Sequence, residues 1–472
     1  MKNRLFSVSI AVVLALSLGL VSCGGEQLPN IPEQPTVLVI GMARDTDEDL
    51  AIFETTLGGP VAREFVEQVN LSGGVHLSAY DTPSGACYVP LEIDRRDISL
   101  ATSDIGDVTA EICADINDGT VHFLWSAASS DAIITQAPVA NEAGVVLVTL
   151  EGGSAPMANE PDKLASWPYV FITLSYSDWY QLPILSDMLE AELGRTPKAY
   201  VAHIGGLGAQ HGEEYLTVAE DNFDVVGDAE VPYWPTQSEA NTLIQNAITA
   251  LGDPADPNYD IFCGFCYPWI VDILTRASID NNFNPPAMVF GPGANFGYYA
   301  YSFGDPPDPS LVDGIMGFTV AAYDTSPKIQ AIYDLIAERM DSDPLSSGFL
   351  GWSGLQSQDY WGTPLYWAGL EMWLEAVERV GYVDQEKLRD ALAALEDDPV
   401  DTILGDCWFR MYGTSGEGGG NMDYLCHTGE IGQWQSGVFE TVGYEGITDD
   451  LPNYVVTADF MFPMTDQWNW VV

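Results

Sequence analysis

The chain has 472 residues, of which 47% are hydrophobic, so it can build a core large enough for more than one folded domain. Aspartate and glutamate number 69 against 16 lysines and arginines, and the formal net charge is -53. This balance argues against nucleic acid and anionic lipid surfaces as partners. The acidity alone identifies no ligand, because a solvated acidic surface also explains it.

The first 22 residues are predicted to be an export signal with a lipoprotein processing site. Positive residues precede an apolar run from about Ile10 to Val21, and a small-residue stretch ends at Cys23. Processing there would make Cys23 the lipid-bearing first residue of the mature chain, whereas an ordinary signal peptide with an incidental cysteine is the alternative. Residues 23–35 contain prolines among polar residues and are predicted to form a tether. We therefore expect an extracytoplasmic protein held at a membrane by its lipid.

Strands and helices are predicted to alternate after the tether. A first series has strands near residues 37–41, 88–97, 121–125 and 145–149. A second series has strands near residues 169–173, 198–204, 224–231 and 259–263. Helical patterns lie between most of these strands, which predicts two doubly wound parallel sheets. Ligands bind such sheets beyond the carboxyl ends of the strands.

Several stretches follow one another as they do in a known family. They are Glu67–Val75, the Ser129–Ser130 pair, Ala137–Val145, Gly291–Pro292, a helix from Tyr366 to Gly381 and a closing hairpin from Gly405 to Gly437. In these stretches the chain resembles the type I periplasmic binding proteins of branched-chain amino acid and amide ABC transporters. The resemblance implies an α/β fold with two doubly wound parallel-sheet lobes joined by a three-crossover hinge. It also implies a monomer that captures a small-molecule ligand for ABC transporter permease subunits, without catalysis, cofactor or metal.

The resemblance divides the chain between the two lobes. We expect the signal peptide at 1–22, the tether at 23–35, the first lobe at 36–170 and 317–404, and the second lobe at 171–316, with the C-terminal hairpin and tail, 405–472, mainly in the second lobe.

In this family, hydroxyl groups that follow the third and fourth strands of the first lobe bind the ligand carboxylate. The matching positions here are Ser129, Ser130, Gly152 and Ser154. Hydroxyl and backbone N–H donors at a helix N-terminus suit an anion. Ser130 could instead be only an N-cap, and the two roles are compatible.

Matches in the second lobe are less faithful to the family. His211 stands where an aromatic residue would cover the ligand, and it could bind a ligand or merely cap a helix. Tyr267 and Trp269 are candidate wall residues of the cleft, and Trp125 and Trp179 fall near other predicted cleft loops, so an aromatic ligand group would be accommodated.

The acid that binds the α-ammonium group in amino-acid binders is missing. Gly293 stands at its position after Gly291–Pro292. Unless Glu151, Asp178 or Asp324 supplies the carboxylate from another loop, a zwitterion loses its main cation partner. The sequence therefore leaves the ligand class open between an amino acid, an amide and a related organic acid.

With Cys23 assigned to the lipid, six cysteines remain for an oxidising compartment. From the predicted topology we expect Cys87–Cys113 at the amino edge of the first sheet and Cys407–Cys426 across the terminal hairpin. Cys263 and Cys266 form a CxxC motif, for which a loop-closing disulfide is favoured over a redox or metal site.

Two other classes of function remain as alternatives. The chain lacks the HExxH, GxSxG, P-loop and dinucleotide motifs, so a hydrolytic enzyme is the weaker of the two. An extracellular ligand-sensing component uses the same fold, but it normally continues into a membrane helix and a signalling domain, which this sequence does not contain.

Overall fold

Two β-sheets with helices packed on them organise the chain. The structure is a computed structural model. It describes residues 31–45, 58–98, 104–127, 130–149, 164–173, 177–206, 209–253, 256–342, 358–411, 419–424, 430–444 and 456–464. The described residues from Gln34 onward form one compact unit.

The strands and helices alternate along most of the chain. The strands are β1 Leu38–Asp45, β2 Val75–His76, β3 Tyr88–Val89, β4 Leu91–Ile98, β5 Phe123–Trp125, β6 Leu147–Val148, β7 Val170–Ile172, β8 Lys198–Ile204, β9 Asp224–Val231, β10 Gly252–Asp253, β11 Asp256–Pro257, β12 Ile261–Cys266, β13 Ala287–Pro292, β14 Met316–Thr319, β15 Val400–Thr402, β16 Gly405–Met411, β17 Gly420–Tyr424, β18 Glu430–Gln435 and β19 Val438–Tyr444. The α-helices are α1 Gly59–Leu71, α2 Ile105–Asp118, α3 Ser130–Ala143, α4 Ser177–Leu193, α5 Ala209–Asn222, α6 Gln237–Leu251, α7 Pro268–Asp280, α8 Pro327–Ser342, α9 Gly362–Val380 and α10 Gln385–Ala393.

The first sheet has the strand order β15-β16-β17-β7-β6-β5-β1-β4. The strands from β17 to β4 pair in parallel, whereas β15 and β16 add an antiparallel edge. Its central strands are short apolar runs, and all three residues of β5 are buried. Burial on both faces is expected for a parallel strand that has helices on either side.

The second sheet has the order β19-β18-β14-β13-β12-β8-β9. Strands from β14 to β9 are parallel, and β18 and β19 continue the sheet in antiparallel pairing. Every residue of β12 is buried. The predicted fold class, two doubly wound α/β sheets, is therefore confirmed.

The chain passes between the two sheets three times. It leaves the first sheet after β7, returns to it after β14 and leaves it again after β17. Helix α8 packs on the first-sheet side, where Arg339 forms ion pairs with Glu64 and Glu67 of α1. The predicted three-crossover connection is thus present.

The C-terminal region is shared between the sheets, which differs from the expectation that residues 405–472 belong mainly to the second lobe. β16 and β17 lie in the first sheet, and only β18 and β19 join the second. The reason is the parallel pairing of β17 with β7, in which Gly420 faces Phe171. The preceding Gly419 permits this approach, because a Cβ atom there would lie 2.4 Å from the Val170 carbonyl oxygen.

The strand predicted at residues 88–97 is divided at Pro90. Proline cannot donate a ladder hydrogen bond, and β3 pairs with β2 in a separate two-stranded sheet while β4 joins β1.

Trp125 also differs from its prediction, because it is fully buried between Phe65 and Trp373 rather than beside a cleft loop.

The predicted disulfide between Cys263 and Cys266 is wrong. Both thiols are free and buried. They lie three residues apart in the extended strand β12, so their Cα atoms are roughly 10 Å apart and their side chains point to opposite faces of the sheet. A disulfide needs Cα atoms within about 7 Å.

The predicted disulfide between Cys87 and Cys113 is also wrong, since both thiols are free. Cys87 lies in the loop before β3, where its amide N–H donates to Asp81 Oδ1 at 2.7 Å. Cys113 is buried on α2, and burial raises the pKa of its thiol to about 12. Because β3 is not part of the first sheet, Cys87 does not lie on that sheet's edge. The Cys407–Cys426 pairing stays a prediction, because Cys426 lies outside the described residues.

Within the described part of the chain, no helix combines the length and apolar composition needed to cross a membrane.

Candidate functional site

Several sequence-predicted site residues lie at the carboxyl edges of the sheets. Within the described backbone, Ser130 opens α3 after β5, Asp178 lies in the first turn of α4 after β7, and His211 lies in the first turn of α5 after β8. Trp179 follows Asp178 in α4. The other predicted positions fall outside the described residues, namely Cys23, Ser129, Glu151, Gly152 and Ser154.

Four aromatic side chains form a cluster at the carboxyl edge of the second sheet. Tyr267 and Trp269 begin helix α7 directly after β12, and their rings stack with centroids 5.0 Å apart. Trp269 also stacks on Trp234, which follows β9, at 5.0 Å. Tyr233 contacts all three of these rings edge-on or tilted. We call these four residues the aromatic cluster.

The aromatic cluster presents one exposed ring on a fixed base. Trp269 Nε1 donates to the Tyr233 carbonyl at 2.9 Å, which joins the loops that follow β9 and β12. Tyr233 is buried, whereas the Trp234 side chain is 48% exposed. An exposed indole supported by stacked rings can receive an aromatic or apolar ligand group. The sequence predicted Tyr267 and Trp269 as wall residues of the cleft but did not point to Tyr233 and Trp234, which stand between two prolines and resemble a turn.

Gly293, which the sequence predicts to stand at the position of the family's ammonium-binding acid, has no room for a side chain. A Cβ atom on Gly293 would lie 2.3 Å from Val271 Cγ2 and 3.1 Å from the Cys266 carbonyl oxygen. Val271 belongs to α7, which packs against this loop. The glycine is therefore required by packing. Of the proposed substitutes, Asp324 is exposed and accepts a hydrogen bond from Gln330 at 3.2 Å.

A segment of residues 358–361 crosses the carboxyl edge of the second sheet on its way into helix α9. The amide of Gly297 donates to the Gln358 carbonyl at 2.8 Å, and the amides of Val320 and Ala321 donate to the Tyr360 carbonyl. Helix α9 then packs on the first-sheet side, where Trp367 contacts Phe65 and Trp373 contacts Phe123. The segment therefore joins the two halves of the fold beside the loop that follows β13.

Asp359 is the charged residue of this segment, and it is fully buried. Its Oδ1 accepts from Asn295 Nδ2 at 2.8 Å and from the Trp361 amide at 2.8 Å. Burial raises the pKa of Asp359 to about 7, although hydrogen bonds from the Trp361 and Gly362 amides act in the opposite direction. Sequence reasoning missed Asp359, because its partner Asn295 is 64 residues away.

Several buried side chains of this segment and of the loop that follows β13 have polar atoms without a hydrogen-bond partner in the described part of the chain. Among the described residues, these atoms are Asp359 Oδ2, Asn295 Oδ1, Gln358 Oε1 and Nε2, Trp361 Nε1 and Thr363 Oγ1. Buried polar atoms are nearly always paired in folded proteins, and each exception needs an explanation. The atoms named here lie on two neighbouring segments at the carboxyl edge of the second sheet, and ligands bind at such an edge in this architecture.

A buried carboxyl also ties two of the chain crossings together. Glu430 begins β18, and its Oε2 accepts from Thr441 Oγ1 at 2.8 Å and from the Ala322 amide at 3.2 Å. Thr325 Oγ1 contacts the same oxygen at 3.3 Å. Burial raises the pKa of Glu430 to about 8. Ala322 and Thr325 belong to the connection from β14 to α8, so Glu430 links that connection to the start of β18.

Comparisons with known proteins find relatives through structure only. No protein family model matches the sequence, and no curated protein matches it. Many solved structures share its fold. The substrate-binding protein LivJ of a branched-chain amino acid transporter from Streptococcus pneumoniae, solved with isoleucine, is 15% identical, with a TM-score of 0.61 over 86% of this chain and 99% of that chain.

Two further structures widen the range of ligands in this group. The leucine-binding protein LivK from Thermotoga maritima is 14% identical, with a TM-score of 0.59 over 87% of this chain and 99% of that chain. An ABC transporter solute-binding protein from Rhodopseudomonas palustris BisB5, solved with 3,4-dihydroxybenzoic acid, is 12% identical, with a TM-score of 0.60 over 88% of this chain and 99% of that chain. The chain therefore has the type I periplasmic binding protein fold and resembles the substrate-binding proteins of branched-chain amino acid ABC transporters in structure.

Proposed function

We propose that this protein is the lipid-anchored, extracytoplasmic substrate-binding component of an ABC transporter. It would capture one small polar solute between its two lobes and deliver that solute to permease subunits, as a monomer and without chemical change to the solute. The solute would be an amino acid, an amide or a related organic acid. Cys23 would carry the lipid, and residues 23–35 would form the tether.

The aromatic cluster is the observation that carries this proposal furthest. It lies where two parallel strands of the second sheet end, and ligands bind at such edges because loops and helix N-termini gather there. Its exposed ring, Trp234, is supported from behind by Trp269. A wall of this kind holds the apolar part of a solute, and polar groups from the facing loops orient it.

The first lobe would supply those polar groups. We propose that Ser129, Ser130, Gly152 and Ser154 bind the carboxylate or carbonyl of the solute. Ser130 opens α3, so a ligand there would meet the positive end of a helix. The second lobe would complete the site with Asp178, Trp179 and His211. In this proposal the first lobe comprises residues 36–170 and 317–404, and the second lobe includes residues 171–316.

The fold's similarity to solved binding proteins supports the choice of solutes to test. The LivJ structure contains isoleucine, and the structure from R. palustris BisB5 contains 3,4-dihydroxybenzoic acid. Both molecules combine a carboxylate with an apolar group. The same combination would suit serine hydroxyls on one side and the aromatic cluster on the other.

A thermal-shift screen tests the proposal. Amino acids, amides and aromatic acids should be screened against the mature protein, and any hit measured by calorimetry. A solute at 100 times its Kd should stabilise the protein by about 2.7 kcal/mol with one site per chain. Trp234→Ala should weaken an aromatic or apolar solute by roughly tenfold, while the exposed control Tyr88→Ala should not. Turnover of a solute without simple binding would contradict the proposal.

A further inference from the structure

The buried carboxyl of Asp359 has the surroundings of a ligand-binding group rather than of an ordinary core residue. It lies beside the loop that follows β13, and this loop carries Gly293 at the position of the family's ammonium-binding acid. Val271 occupies the space that a side chain at position 293 would need. If the solute has a cationic group, its counter-charge must therefore come from another segment that reaches this loop.

Asp359 is placed there by hydrogen bonds on both of its sides. Asn295, two residues beyond Gly293, donates its side-chain N–H to Asp359 Oδ1 at 2.8 Å. The Tyr360 amide donates to the Asn295 carbonyl at 3.3 Å, so the two backbones run side by side. Asp359 thus adjoins the loop where the missing acid would have been, although it comes from a segment that leads into α9.

Asp359, its hydrogen-bond partner Asn295 and its chain neighbour Gln358 carry three acceptors that are unpartnered within the described chain, as many as an ammonium group has donors. Asp359 Oδ2, Asn295 Oδ1 and Gln358 Oε1 are acceptors without a donor among the described residues. All three side chains are fully buried. A primary ammonium group carries three N–H donors and a positive charge, and hydrogen bonds between charged partners are the strong ones.

We propose that Asp359, together with Asn295 and Gln358, forms the subsite that receives a primary ammonium group of the bound solute. This inference rests on the proposed solute-binding function and narrows its ligand class to amine-bearing solutes. A solute that carries a carboxylate but no amine would leave the buried Asp359 carboxylate without a counter-charge, which disfavours its binding. The raised pKa of Asp359, about 7, agrees with a carboxyl that lacks a cationic partner in the protein.

Asp272 is another buried carboxyl of this region, and its Oδ1 also lacks a hydrogen-bond partner among the described residues, but unlike Asp359 it has a cationic neighbour. It lies on α7 with Arg276 one turn further along, and the positive charge of Arg276 lowers the pKa of Asp272, which burial raises to about 6. The guanidinium of Arg276 in turn lies over the Phe303 ring. Asp359 has no such neighbour, because its partners within the described residues are the Asn295 amide and backbone N–H groups.

The test compares solutes that differ only at the nitrogen. Binding of L-isoleucine, of its 2-hydroxy analogue and of benzoate is measured by calorimetry on the full protein and on Asp359→Asn. The wild type should prefer the amine to the hydroxyl analogue, and Asp359→Asn should lose tenfold to a hundredfold of this preference. Glu371→Gln is the matched control. It removes a half-buried carboxyl of α9 whose pKa is also raised to about 7 by burial but whose oxygens accept from Trp367 Nε1 and the Ile403 amide.

Gln358→Leu keeps the inference testable if Asp359→Asn does not fold. The Gln358 side-chain amide has no hydrogen-bond partner in the described chain. If its role were only structural, removing a buried unsatisfied amide should leave the protein equally or more stable and leave binding unchanged. If it belongs to the subsite, the melting temperature should hold or rise while the preference for the amine falls.

The outcomes separate this inference from the proposed function. Loss of amine preference in Asp359→Asn, with Glu371→Gln like the wild type, supports the subsite. Binding of benzoate without binding of either isoleucine probe overturns the subsite and leaves the solute-binding function standing. Equal amine preference in the wild type and Asp359→Asn, or the same loss in Glu371→Gln, overturns the subsite alone. If no probe binds, the subsite and the proposed function both fail for this ligand range.

Discussion

Replacing Glu430 with glutamine is expected to flatten the dependence of the free energy of unfolding on pH. Glu430 is fully buried, and burial raises its pKa to about 8. In the unfolded chain a glutamate has a pKa of about 4.3. Between these two pH values the folded state holds a proton that the unfolded state has released. The free energy of unfolding therefore falls as the pH rises through this window, and the stabilising contribution of the protonated Glu430 is complete only below about pH 4.

The size of the effect follows from that difference. A group of this kind contributes up to about 1.4 kcal/mol per pH unit, so between about pH 5 and pH 8 it should cost the folded state roughly 3 kcal/mol. Glutamine keeps one acceptor oxygen for the Thr441 hydroxyl and cannot ionise. Glu430→Gln should therefore be close to the wild type at about pH 5 and more stable than it at about pH 8.

Urea unfolding at constant ionic strength across this pH range measures the difference. Asp359 and Glu371 also have pKa values raised to about 7 by burial, and they add to the slope in the wild type and the variant alike. The exposed Glu190→Gln control makes the same change in net charge, so it separates general charge repulsion from the buried group. Parallel stability curves for the wild type and Glu430→Gln would refute the reasoning.

Three further predictions follow from the site and the cysteines. Cys263 and Cys266 should remain reduced and react with a thiol reagent only after unfolding, because both side chains are buried. Peptide mapping that finds the two cysteines bonded to each other would contradict their placement in one extended strand. Ser130→Ala should weaken solute binding about tenfold to a hundredfold if the hydroxyl binds a charged group, whereas a mere N-cap would lose about 1 kcal/mol of stability with affinity unchanged. Mass spectrometry of the mature N-terminus should find a lipid on Cys23, and an unmodified start elsewhere would exclude the anchor.

The sequence determined the fold class through local patterns. The apolar runs of β5, β8 and β12 are predicted as strands because a parallel strand is covered on both faces and needs little but hydrophobic residues. Helix α1 is predicted by the proline at its start and the glycines beyond its end, which are features of neighbouring residues. Several stretches follow one another in the same order as in a known family, and this resemblance predicted the two-sheet arrangement with three crossings.

Only the tertiary structure decided which distant residues meet. The pairing of β17 with β7 joins residues about 250 positions apart along the chain, and nothing in either short strand selects the other. The Asp359–Asn295 hydrogen bond spans 64 positions, and Trp269 reaches the carbonyl of Tyr233 across 36. Local sequence sets the shape of a segment, but these contacts depend on how the segments pack. The aromatic cluster and the surroundings of Asp359 are made of such contacts, and this is the physical reason why the candidate site was less predictable than the fold.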